Sequence, residues 1–160
     1  LTGHLVFSTL HTNDAPSALT RLIDMGIKPF LVSSSIQAVM AQRLVRTLHA
    51  PSKALAEEQD LDPKILRLVG LRMEEALGKV YKPMPGDGAP NGYKGRRAIF
   101  ELMMMNSRLR DLGFKKAPVA EIRKAAIESG MRTLVDDGRL KILAGKTTPE
   151  EIARMAQEGH

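Results

Sequence analysis

The sequence predicts an α/β fold, and three observations carry that expectation. "HLVFSTL", residues 4–10, is a continuous apolar run with a β-branched residue and a phenylalanine, the pattern of a strand buried on both faces of a parallel sheet. Polar turn residues follow it at once, and then helix punctuation. That strand–turn–helix unit places functional groups at the carboxyl edge of an α/β sheet. Beyond residue 100 the chain reads as mostly helical.

Each element has its own signal. In "NDAPSALTRLIDMG", Asp14 caps a helix, Pro16 sits in its first turn and Gly26 stops it. Ala15, Leu19, Leu22 and Ile23 share one helical face. Residues 29–49 leave two readings open: Ile36, Met40, Leu44 and Leu48 fit a helix, whereas "RLVRTL" suits a strand. A linker-like zone follows, and within it "DPKILRLVG" reads as a short helix capped by Asp62 and opened by Pro63. "KPMPGDGAPNGYKG", residues 82–95, is rich in proline and glycine and predicts loop. "RAIFELMMM" reads as a strand and "APVAEIRKAAIESG" as a helix ended by Gly130. Thr148 with Glu151 three positions later is a capping-box signature for a last helix over "TPEEIARMAQ". No internal repeat is present.

A chain of 160 residues is long enough to bury a core, and no apolar run approaches the roughly 18 residues that span a bilayer. There is no start methionine and no signal-peptide pattern, so the chain is expected to be cut from something longer. The absence of cysteine excludes disulfides and thiolate metal sites. An excess of 24 basic over 18 acidic residues suits anionic company, although a dispersed solvated surface gives the same balance. Four Phe, two Tyr and no Trp leave little for base stacking, which counts against a nucleic-acid partner.

His4 and His11 flank the apolar run. On an extended strand their side chains stand roughly 23 Å apart, too far for one metal ion. Two readings remain for them. Each imidazole bonds nearby backbone and orders the turn, or His11 senses phosphate beside Thr12, Asn13 and a helix N-terminus whose free N–H groups favour negative charge. Neither GxxxxGK[ST] nor GxGxxG occurs in the chain, and the spacing from Gly138 to Gly145 in "GRLKILAGKTT" is too long for a phosphate loop. Gly145 reads instead as a helix stop and Thr148 as the next cap. "DDG" at 136–138 lacks the further ligands of a calcium loop. Arg96 and Arg97 follow the glycine-rich loop; they either pair with carboxylates such as Glu101 or grip a nucleotide, since a guanidinium stacks on rings and bonds phosphates. Met103–Met105 read as core or interface filler.

The blocks "TGHLVFSTLHTNDAPSALTRLIDMG", "AVMAQRLVRTL", "NGYKGRRAIFEL" and "GMRTLVDDGRLKILAGKTTPEEI", in that order, closely resemble the C-terminal domain of the type II secretion ATPases. The related type IV pilus assembly ATPases are nearly as good a match (together, the GspE/PilB traffic ATPases). The resemblance implies the distal part of a RecA-like P-loop NTPase domain followed by a small, mostly helical C-terminal region. It implies an ATPase using ATP and Mg²⁺, working as a homo-hexamer on the cytoplasmic face of the inner membrane. An inner-membrane platform and N-terminal recruiting proteins would be its partners, and its stroke would assemble a pilus-like filament. Carried onto this chain, His4 and His11 match the two histidines of the His box, and Arg96 matches the arginine of the "GYxGR" block beside the nucleotide base. Gln42 and Arg43 match the "AQRL" block, to which a structural or inter-subunit role is carried.

Two departures from the family pattern matter. Its Walker A, Asp box and Walker B precede the His box and are absent here, so the isolated chain is expected to be inactive. Its four-cysteine zinc insert corresponds to positions His49, Ser52, Pro85 and Gly88, none of which supplies a thiolate, so zinc is expected to be absent. The resemblance divides the chain into residues 1–49 with the His box, an insert over 50–91 packed through Ile65, Leu66, Leu68 and Val69 or mobile, and 92–160. The alternative function is a non-catalytic interaction module that keeps the ring-packing surface of such an ATPase.

Overall fold

The structure is a computed structural model that describes residues 3–158. Leu1, Thr2 (the first residue of the first block), Gly159 and His160 lie outside the described residues. Helices and strands are mixed, so the α/β expectation holds at that level. The chain packs as two compact units, Leu1–Ala41 with Glu101–Thr133, and Gln42–Phe100 with Leu134–His160.

In the first unit, α1 (Pro16–Asp24) begins where the sequence places it. Pro16 occupies its first turn and Asp14 Oδ1 accepts the Ser17 N–H at 2.9 Å. It ends at Gly26, whose φ of +96° is left-handed. Helix α2 (Pro29–Ser35) also opens on a proline, and its last carbonyls are closed from outside. The Arg110 guanidinium donates to Ser33 O at 2.6 Å and Ile36 O at 3.0 Å, satisfying acceptors that a helix end leaves orphaned. Arg110 lies on α5 (Ser107–Phe114), which Asn106 caps by accepting the Leu109 N–H at 2.9 Å. Helix α6 (Val119–Glu128) follows and ends before Gly130, again as the sequence predicts. Leu19, Val32, Met103, Leu109, Ile122 and Ala125 form the core of this unit.

The open choice over residues 29–49 resolves as both answers in turn. Helix α2 comes first, and then β1 (Ala38–Leu48). Strand β1 forms a two-stranded sheet with β4 (Tyr93–Met104). Met105 N–H bonds the Gln37 carbonyl and His49 N–H bonds the Gly92 carbonyl, so the strands run antiparallel. The two bonds differ by one residue in register, with the extra residue on the β4 side, and Gly95 within β4 has a left-handed φ of +80°. The four-residue apolar spacing that suggested a helix was misleading. Met40 and Leu44 are exposed, while Ala41 and Val45 on the opposite face of β1 are buried.

The second unit holds the rest of both strands and everything between them. Helix α3 (Pro63–Leu68) has Pro63 at its start and Asp62 accepting the Lys64 N–H at 2.9 Å, as the sequence predicts. A one-turn helix α4 (Met73–Ala76) follows. The short strands β2 (Ala54–Leu55) and β3 (Tyr81–Lys82) pair antiparallel. Of the four residues expected to pack this region, Leu66 and Val69 are fully buried, Ile65 is half-buried and Leu68 is exposed. Ala56, Leu71, Ala76 and Val80 complete the cluster.

Helices α7 (Leu134–Leu143) and α8 (Pro149–Glu158) close the second unit, with Gly145 left-handed between them at φ +72°. Ile142 and Ile152 are buried where they pack. Half of the capping box forms: Thr148 Oγ1 accepts the Glu151 N–H at 3.3 Å. The Glu151 carboxylate turns instead to Arg46, taking its backbone N–H at 2.9 Å and its guanidinium at 2.7 Å. Arg46 in turn lies 4.2 Å over the Tyr93 ring.

One expectation fails. Residues 4–10 form no strand, and Leu5, Val6 and Phe7 are 72%, 76% and 88% exposed. A strand buried on both faces needs a ladder partner on each side. Among the described residues none pairs with this segment, so its β-propensity finds nothing to bond.

Candidate functional site

Residues 4–12 form no helix or strand, and bends at 13–15 lead into α1. His4 and His11 are both exposed, with Thr12 half-buried between His11 and the helix. Among the described residues no group of three His, Cys, Asp or Glu side chains is placed to hold a metal ion.

The end of this segment is fixed firmly. Ala15 N–H donates to Glu101 Oε1 at 2.9 Å, across 86 residues of sequence, and the Glu101 side chain is only 3% exposed. Asp14 Oδ1 takes the Ser17 N–H, and Asp14 Oδ2 accepts from the Arg123 guanidinium of α6. Burial by itself would raise the pKa of the Asp14 carboxyl. The hydrogen bonds from Ser17 and then the charge of Arg123 outweigh it and hold Asp14 below the usual carboxylate range.

These contacts bear on one premise of the phosphate reading. The phosphate reading needed free N–H groups at the start of α1. Ala15 gives its N–H to Glu101, Pro16 has none, Ser17 gives its own to Asp14, and Ala18 bonds the Ala15 carbonyl. No donor is left over in the first turn. Two carboxylates also stand there, which repel a phosphate. The start of α1 is therefore a closed, protein-satisfied end. A role for His11 toward nucleotide has to come from its exposed imidazole. Nor do the donors around this turn fit the phosphates and magnesium of MgATP, for which the chain offers neither a phosphate loop nor an acidic cluster among the described residues.

Glu101 was named from sequence only as a partner for Arg96 or Arg97. Its bond to Ala15 was not foreseen. The signal was present in weak form, as one carboxylate inside the apolar strand "AIFELMMM". A buried charge in a strand must find donors, and a helix start is a ready source of them.

Arg96 belongs to the second unit and is exposed, as is Arg97. It sits one residue beyond Gly95, on the same side of β4 as Ala98 and Phe100. Arg43 is half-buried and Gln42 exposed on β1.

The positions aligned with the zinc cysteines have a different chemistry. Ser52 Oγ donates to the Met84 carbonyl at 2.7 Å and lies 2.8 Å from His49 Nδ1. With the single hydroxyl proton spent on Met84, His49 must carry its proton on Nδ1 and donate it to Ser52. Gly86 packs against both side chains; a Cβ there would lie 2.7 Å from Ser52 Oγ. A hydrogen-bonded clasp of His49, Ser52 and Met84 thus ties the two turns together. Residues 50–91 belong to the second unit.

Among the described residues no helix is long and apolar enough to cross a membrane. The sequence profile of the family described as "Type II/IV secretion system protein" matches residues 1–154. The chain is 43% identical over 160 residues to a type II secretion system protein E of Xanthomonas campestris, covering 99% of this chain and 28% of that protein. It is 44% identical over 154 residues to the type IV pilus assembly ATPase PilB of Thermus thermophilus, covering 95% of this chain and 17% of that protein. It is 41% identical over 162 residues to the type II secretion system ATPase E of Vibrio cholerae, covering 99% of this chain and 31% of that protein. The chain thus spans less than a third of the length of these relatives. A profile match over nearly every residue, with this identity to secretion and pilus proteins alike, places the chain in the type II/IV secretion system protein family.

Proposed function

We propose that this chain is the C-terminal part of a longer ATPase that drives a type II secretion or type IV pilus assembly machine. The observation that carries the reading is the 43% and 44% identity, over nearly the whole chain, to a secretion protein E and to a pilus assembly ATPase. In this reading the chain supplies the distal part of a RecA-like domain. The upstream part holds the phosphates of ATP and the magnesium, and hexamer formation on the cytoplasmic face of the inner membrane completes the motor.

Within that assembly His11 is the nucleotide-sensing residue and His4 its companion in the His box. Arg96 contacts the nucleotide base. The exposure of all three side chains supports these roles, because each is free to meet groups from another part of the protein. The occupied N-terminus of α1 supports assigning the phosphates to residues outside this chain. The His49–Ser52–Met84 clasp supports a zinc-free insert, since its side chains are already engaged with one another.

The test compares two proteins in a phosphate-release assay with MgATP. The longer protein should turn over ATP and this chain alone should not. Mg-dependent turnover by the purified chain, or none by the longer protein, overturns the reading.

A further inference from the structure

We propose that Glu101 is a positioning residue for the His11 turn, acting on the motor's turnover through the backbone of Ala15. The inference rests on the ATPase reading for its functional arm only. Its geometric arm stands on the structure.

Every donor at the start of α1 is accounted for, and Glu101 is the acceptor that comes from farthest away in sequence. Ala15 is completely buried and joins directly to the turn "HTND" that carries His11. Asp14 bonds only one turn ahead, to Ser17, and reaches α6 through Arg123. Glu101 ties the end of the turn to β4. A carboxylate accepting an amide N–H in a buried place forms a short, strong, directional bond. Its loss would leave Ala15 N–H buried without a partner, so the turn would shift to find water. His11, four residues away and exposed, would move with it. Glu101 itself touches neither nucleotide nor reacting atoms in this scheme.

Two variants separate positioning from bulk stability. Glu101→Leu keeps the apolar volume of the strand and removes the acceptor. Glu101→Gln keeps an acceptor oxygen without the charge. In the isotope-labelled chain, Ala15 amide exchange should quicken by about tenfold or more in the Leu variant. The Gln variant, with a neutral acceptor, should quicken it by about threefold. The His11 ring resonances should shift in the same order, while the Ile122 and Ala125 amides of α6 keep their protection. In the longer ATPase, turnover should fall in that order too, at unchanged KM for ATP. If Glu101→Leu fails to fold, the Gln variant decides by the same readouts. Ala15 exchange within about twofold of the parent in the folded variants overturns the proposal, since a lost buried bond must show there. So does a turnover unaffected by either substitution. A parent protein without ATPase activity would sink the functional reading and leave the exchange arm to judge Glu101.

Discussion

Gly138 sits in the middle of α7, and replacing it by alanine sets two effects of opposite sign against each other. In a helix interior the change from glycine to alanine gains roughly 1 kcal/mol through backbone entropy. Packing opposes that gain. An alanine Cβ at this position would lie 2.7 Å from Ile152 Cδ1, 2.8 Å from Cγ2 and 3.0 Å from Cγ1. Ile152 is fully buried on α8, so its side chain has no solvent to swing into. Overpacking of this kind costs about 1–3 kcal/mol, which exceeds the propensity gain. Gly138→Ala should therefore destabilise the chain by about 1 kcal/mol net, read as a lower urea midpoint at unchanged m-value. The sign should reverse when Ile152 is cut back. In an Ile152→Ala background, itself weaker by about 2–5 kcal/mol, adding Gly138→Ala should be neutral or stabilising. If Gly138→Ala raised the midpoint in the parent chain, the packing of α7 on α8 described here would be wrong.

Further predictions follow from single contacts. Burial alone would raise the Glu151 carboxyl pKa, but hydrogen bonds from the Arg46 side chain and then its backbone N–H hold it below the ordinary value. A carboxyl lowered in the folded state contributes stability above its unfolded pKa, about 4.3, and loses it as pH falls through the folded value. Glu151→Gln should therefore weaken the chain by about 1–3 kcal/mol at neutral pH and flatten the acid limb of a stability–pH series. An unchanged acid limb would contradict the bond to Arg46. Ser52→Ala removes the middle of the clasp and should cost about 1–2 kcal/mol by urea melt, with His49 losing its Nδ1 partner in an imidazole NMR spectrum. Lys116 ends α5 at φ +56°, a left-handed conformation that a lysine adopts at a cost. Lys116→Gly should accordingly stabilise by about 0.5–1 kcal/mol in the same melt. Elemental analysis of the purified chain should find no stoichiometric zinc.

Local chemistry was the legible part of this fold. Asp14 and Pro16 opening α1, Asp62 and Pro63 opening α3, and Gly130 and Gly145 ending α6 and α7 are all interactions within a few residues of sequence. Each is governed by backbone geometry that the residue type alone dictates. What depended on distant partners was not legible. "HLVFSTL" has the composition of a buried strand, but composition does not supply neighbours, and the segment forms no strand and is exposed. "AVMAQRLVRTL" fitted two periods, and its pairing with β4 decided between them. Glu151 carries the capping signature, yet its carboxylate answers to Arg46, 105 residues away. The site divides in the same manner. His4, His11 and Arg96 stood out in the sequence itself and a resemblance gave them their expected roles, while the part of Glu101 became visible only through its bond to Ala15.

Steady-state ATP kinetics of the longer protein carrying His11→Ala or Arg96→Ala bear most directly on the motor reading. An interaction made only in the transition state lowers kcat, and one made equally in ground and transition state raises KM. His11→Ala should lower kcat by about tenfold or more with KM nearly unchanged, and Arg96→Ala should raise KM for ATP by about tenfold with kcat retained. Both variants within about twofold of the parent in kcat and KM would contradict the account, because neither residue would then meet the nucleotide.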